Sequence, residues 1–315
     1  MKTEVTIHRY RGVILFLCGM LLGFGIVLIF LFLPDLRLGR RSVLGLSLQD
    51  RIPAGVVPGP PREVEKIFRL ELGQAIRLAG MDDPENERWL DIAGNSYTGS
   101  FVREFSYQGE KAQVLVAIEE KSDTFRGRLE ARGLKPNFAY QIKLRGIFGH
   151  LDAFERIGYA GRWRFPGKAT NYTDAEYMAK KDKSDVEAYI FFDFFVTDKN
   201  GDAVRDFALD SSLHVLWNTT RQGGTHKNDD LVAFSVEADD PEVYSRPKKR
   251  QDVELLMAER ECGRYVKADQ RLFLPNGRYI AEIVLTEESF HSIDNDGGHW
   301  ATVFKSEIEF TVEPR

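Results

Sequence analysis

His291, Asp294, Asp296 and His299 fall together in the glycine-containing stretch HSIDNDGGH. Imidazole nitrogens and carboxylate oxygens at that density are ligands for a divalent ion. The plainer reading is a polar hairpin loop, in which Asn, Asp and Gly serve the turn itself. A second grouping is Asp193, Asp206, Asp210, Ser212 and His214, spread over two strand-like segments. Brought to one sheet face, they set Asp193 among aromatic rings, where desolvation raises a carboxylate toward the range of a general acid or base. Asp193, Asp210 and His214 are then the working groups of a hydrolase-like site. The plainer reading is a partly solvated sheet face with a cross-strand polar network. The third grouping is Tyr159, Trp163, Phe165 and Tyr172, interleaved with Arg162, Arg164 and Lys168. Rigid rings flanked by cations suit a sugar or a protein hot spot. Against this, Trp163 and Phe165 can equally seal the end of a β core, since Trp is highly buried on average.

Other signals fall short of a site. Asp198, Asn200 and Asp202 have the first spacings of a calcium loop, but Ala203 and Leu209 stand where glycine and glutamate are required. No Ser-x-x-Lys, nucleophile elbow, phosphate-binding glycine loop or HExxH occurs. Asn171 and Asn218 begin glycosylation triplets. The residues call for no cofactor, and the leading expectation is a protein without catalysis of its own.

The elements that position these groups start with an anchor. Residues 12–33 carry no charge, and a run of roughly 20 apolar residues spans a hydrocarbon core of about 30 Å. It is longer than the apolar core of a cleaved leader, and it ends in Phe32, Leu33, Pro34 and Asp35 without a small-residue cleavage site. Residues 1–11 form a short tail. Cys18 reads as a core thiol of the span. Lys2, Arg9 and Arg11 on one side balance Arg37, Arg40 and Arg41 on the other. Long domains translocate largely regardless of charge, so the large domain is expected outside the cytoplasm of a single-pass cell-membrane protein.

Of the 43 Lys and Arg and 48 Asp and Glu, those beyond residue 41 number 37 and 46, a net charge of −9. That balance argues against a nucleic-acid partner, and the expected partners are the bilayer and another envelope or surface protein. Cys262 is the one cysteine outside the span, so packing rather than a disulfide must hold the domain. Residues 34–62 include Pro53, Pro58, Pro60 and Pro61, a density that favours an extended stalk. Beyond it the pattern is β. Phe68, Leu70 and Leu72 alternate with charged residues, as do Val114, Val116 and Ile118 with their neighbours. Asp83-Pro84 predicts one short helix, and Thr173 with Glu176 predicts another behind a capping box.

Two segments carry a more specific pattern. In GLKPNFAY, Leu134, Pro136 and Tyr140 precede an alternating strand, and in LPNGRY, Leu274, Pro275, Gly277 and Tyr279 do the same. Both resemble the tyrosine corner of fibronectin type III and immunoglobulin-like sandwiches, in which the Tyr hydroxyl bonds back to upstream main chain. The resemblance implies a mainly β fold of antiparallel sandwiches. Two corners imply two packed domains, residues 63–180 and 185–315.

Finally, Asn200-Gly201 between Tyr189–Val196 and Ala203 onward predicts a two-residue hairpin. That register sets Lys199 against Asp202, Thr197 against Val204 and Asp193 against Ala208. One face then holds Ile190, Phe192, Phe194 and Val196 with Phe207, Leu209, Leu213, Val215 and Trp217. Rival expectations to the binding role are a carbohydrate- or metal-binding exodomain and the hydrolase-like site.

Overall fold

Short β-branched and aromatic runs bounded by Gly, Pro, Asn and Asp favour strands over helices, and strands dominate the fold. The computed structural model describes residues 72–165, 173–218, 230–237, 239–246, 251–259, 271–287 and 301–314. The predicted membrane span and stalk, Phe68, Leu70, Cys18, Cys262, Tyr172 and the His291 to His299 loop lie outside the described residues. No helix among the described residues is long and apolar enough to cross a membrane.

The strands are β1 (Ile76–Arg77), β2 (Ala79–Gly80), β3 (Gln113–Ile118), β4 (Lys121–Ser122), β5 (Arg126–Arg132), β6 (Ala139–Gly146), β7 (Arg162–Arg164) and β8 (Glu187–Val196). They continue with β9 (Ala203–Ala208), β10 (Leu213–Asn218), β11 (Asp230–Val236), β12 (Gln251–Glu259), β13 (Gly277–Glu287) and β14 (Thr302–Val312). Among the described residues three helices join them: α1 (Gly99–Glu104), α2 (Leu151–Ala160) and α3 (Asp174–Ala179). The larger sheet runs β2-β14-β13-β6-β8-β7, with β4 parallel to β14. A four-stranded sheet runs β1-β3-β5-β9, and a third runs β10-β12-β11. All other pairings are antiparallel.

The larger and four-stranded sheets stack face to face. Phe125, which precedes β5, packs its ring against Phe192 of β8, Phe207 of β9 and Phe310 of β14. The cover continues through α2, whose Arg156 lies over the Tyr279 ring while Tyr279 stacks on Phe310. Ala153, Phe154, Ile157 and Ala160 form the buried stripe of α2, the i, i+3, i+4 spacing of a helix lying on a sheet. This layered, mainly antiparallel architecture is compatible with a β-sandwich. The expected division at residues 180–185 does not coincide with a break in the sheets. β6 lies between β13 and β8, and every described residue belongs to one compact unit, Ile52–Arg315.

Both predicted corners form their backward bonds. Tyr140 Oη accepts from the Lys135 main-chain N–H at 3.1 Å, and Tyr279 Oη donates to the Pro275 carbonyl at 2.6 Å. The capping box also forms: Thr173 Oγ1 accepts from Glu176 N while the Glu176 carboxylate accepts from Thr173 N. Asp83-Pro84 opens a single turn rather than a helix, closed by Asn86 and Glu87 main-chain N–H groups on the Asp83 carbonyl.

The predicted β8–β9 hairpin is not formed. β8 pairs with β6 and β7, whereas β9 pairs with β5 in the facing sheet. The turn explains the divergence. A type I′ turn needs positive φ at both central residues, but only Gly201 has it, at +82°. The Asp198 carboxylate instead accepts from the Asn200 and Asp202 main-chain N–H groups, and the Asp198 carbonyl accepts from Gly201. A Cβ at Gly201 would lie 2.0 Å from the Leu134 carbonyl oxygen, so this arch also requires the glycine for close approach. Burial favours the crossing. Tyr189 through Val196 are buried on both faces of their strand, and such a strand needs a central place. β9 buries Ala203, Arg205 and Phe207 but exposes Val204 and Asp206, as an outer layer does.

A bulge within β8 corrects the face assignment as well. Ile142 of β6 opposes Asp193 and Lys143 opposes Phe191, leaving Phe192 without a partner. The extra residue exchanges the two sets over the second half of the strand. Phe192, Asp193 and Phe195 face the four-stranded sheet or its margin, where Phe192 meets Phe207 and Phe195 stacks on Tyr140. Phe194 and Val196 turn to the other side.

Candidate functional site

The sequence-predicted groups are dispersed. Asp193 is fully buried and binds Arg205 of the facing sheet through two hydrogen bonds, Nη2 to Oδ1 at 2.7 Å and Nε to Oδ2 at 3.1 Å. Asp206 points outward, its side chain 62% exposed, 3.5 Å from Arg128. Asp210 is half-buried, its carbonyl accepting from Leu272 N. Ser212 is buried, and the His214 side chain lies outside the described residues. The ion pair joins two layers, which is the work of a structural link.

The predicted ring platform is also internal. Tyr159, Trp163 and Phe165 are buried. Trp163 stacks on Tyr177 with centroids 3.6 Å apart and planes 4° from parallel, and its Nε1–H donates to Asp174 at 2.8 Å. Helix α3 is thereby fastened over the end of the large sheet. The metal loop His291, Asp294, Asp296 and His299 lies outside the described residues. Among the described residues no group of three or more His, Cys, Asp or Glu could hold a metal ion.

The densest polar constellation was not singled out by the sequence. Lys135, within the first corner, and Glu287, last residue of β13, are both 0% exposed and form an ion pair. Glu287 Oε1 also accepts from the Tyr107 hydroxyl at 2.5 Å, and Oε2 accepts from the Arg88 main-chain N–H. Because the Tyr107 hydrogen is committed to Glu287, the 2.9 Å contact between the two hydroxyls is donated by Tyr140. A directed relay results, from Lys135 N–H to Tyr140, to Tyr107, to Glu287. Lys135 Nζ donates a second bond to the Arg88 carbonyl at 2.7 Å, and Glu87 Oε2 stands 3.8 Å away. The ammonium sits 3.7 Å above the Trp89 ring, a cation–π contact strengthened by desolvation. Burial lowers the Lys135 pKa against the opposing pull of Glu287 and Glu87. Burial raises Glu87, which Lys135 partly offsets, and holds Tyr107 and Tyr140 well above the phenol range.

A second buried network adjoins the first. Asp91 accepts from both the main-chain N–H and the amide of Asn95, while Tyr97 donates to the Pro136 carbonyl at 2.6 Å and stacks on Tyr244. Burial raises the Asp91 pKa, and the Asn95 hydrogen bonds pull it down less strongly. A raised carboxylate favours the protonated native state. Its stabilising contribution is therefore full below the ordinary value of 3.8 and is lost as pH rises through the folded value. Urea midpoints of wild type and Asp91→Asn are expected to show this as a difference in slope. Stability of wild type falls more steeply with rising pH across that window, by at most about 1.4 kcal/mol per pH unit, the limit for one proton.

Above these networks lies an open groove of about 670 Å³. Phe101, Phe105, Leu134, Pro136 and Val243 give it an apolar floor, and Glu104, Lys111, Lys199 and Asp240 stand among its lining residues. Leu134 and Pro136 bracket Lys135, whose side chain leaves the groove for the interior. The chain matches no family model, and comparison with curated proteins and with solved structures finds no similar chain.

Proposed function

We propose that this chain is a single-pass membrane protein whose extracytoplasmic, immunoglobulin- or fibronectin III-like β domain binds an envelope or surface protein in a non-catalytic scaffolding role. The groove carries this reading. An apolar floor with charges of both signs around it has the anatomy of a protein-binding patch, in which rings anchor the contact and charges set register. The uncharged residues 12–33 and the proline-rich stretch behind them support tethering at a distance from the bilayer.

The test uses the full chain in intact cells. Lys181, Asp182, Ser184 and Asp185 are exposed, so trypsin added outside should cut there once any outer barrier is opened. A photoreactive residue at Val204, which is exposed but does not line the groove, serves as control for one at Lys199. The Lys199 probe is expected to give a discrete adduct with another envelope protein, weakened about tenfold by Lys111→Glu, the effect of about 1.4 kcal/mol. Protection from trypsin would overturn the sidedness, and identical labelling at Lys199 and Val204 would overturn the groove.

A further inference from the structure

We propose that Lys135 and Glu287 are joined by a covalent side-chain amide, formed by the folded chain itself. The two groups touch, both are sealed from solvent, and they lie 152 positions apart in sequence. Contact held by the fold gives an amine and a carboxyl group a high effective concentration. A dry interior removes the water that would reverse the condensation, and it disfavours the charged pair relative to the neutral amine and acid that react.

The surrounding groups fit each part of the reaction. The Lys135 Nζ lone pair attacks Glu287 Cδ, forming the C–N bond. Charge gathers on Oε2, already held by the Arg88 main-chain N–H, the placement of an oxyanion donor. The Cδ–Oε1 bond breaks, with the Tyr107 hydroxyl directed at the departing oxygen. Oε1 leaves as water, and both its hydrogens come from the ammonium. One crosses the existing bond from Nζ to Oε1. The other is carried by Glu87, 3.8 Å from Nζ and itself nearly buried. The amide keeps the last ammonium hydrogen, so no oxidant or co-reactant enters. The aromatic shell of Trp89, Phe105, Tyr107 and Phe138 around Nζ keeps water out. No small substrate reaches this site, which makes the chain its own substrate.

Tryptic mass analysis of the denatured full-length protein decides the matter. Cleavage after Arg132, Lys143, Arg278 and Lys305 releases residues 133–143 and 279–305, and Pro136 protects the Lys135 bond in either case. The expected product is one branched species weighing the two peptides less one water. Glu87→Gln, which keeps shape but cannot carry the proton, is expected to cut the linked fraction at least tenfold. Two separate peptides of full sequence mass from wild type would overturn the proposal whatever the variant does. Undiminished linkage in Glu87→Gln would overturn the role given to Glu87.

Discussion

Replacing Arg205 by alanine is expected to lower the stability of the β domain by about 3–5 kcal/mol, because it strands a buried charge. Asp193 is 0% exposed and lies between two sheets, so water cannot replace the guanidinium. Swapping both partners for apolar residues, Asp193→Leu with Arg205→Met, is expected to recover most of that loss, since a packed apolar pair avoids desolvation altogether. Urea denaturation of the two variants beside wild type measures both effects. A loss below about 1 kcal/mol in Arg205→Ala, the level of an exposed pair, would contradict the burial of this pair between the sheets.

Trp163→Ala should cost a similar amount, about 3–5 kcal/mol, the range for truncating a large buried ring. Three packing relations disappear together: the stack on Tyr177, the edge contact with Tyr159 and the tilted contact with Phe154. The cavity cannot close easily, because Gly158 of α2 is fitted to the indole, with a Cβ there only 2.1 Å from a ring carbon. Thermal unfolding is the measurement. A sugar-binding platform would behave oppositely, losing ligand affinity while its melting temperature held.

Fold and site were legible to different degrees, for physical reasons. Local chemistry read well: the Thr173 capping box and both Tyr hydroxyl bonds depend on neighbours within five positions. Partner choice did not. Asn200-Gly201 announces a reversal of direction, yet whether the next strand pairs with the last depends on what else covers it. The informative feature was the apolar content of YIFFDFFV on both faces, since a two-strand ribbon can bury only one. The bulge at Phe192 has no local signature, because it is set by the partner strand β6. Lys135 was hidden within a corner read for its Leu, Pro and Tyr. Glu287 did leave a trace: it continues the buried phase of Tyr279, Ala281, Ile283 and Leu285 along β13, and a carboxylate in a core phase requires a buried cation somewhere in the chain.

The position of β6 between β13 and β8 bears on how the chain matures. During synthesis, roughly the first 276 residues must emerge before one flank of β6 can be covered. Until then its bare amides and carbonyls offer a template to any passing strand. Pairings this distant in sequence also form slowly. A polypeptide cut short before Gly277 should therefore clump rather than persist as a smaller folded piece, and its safe delivery would call for a holding chaperone.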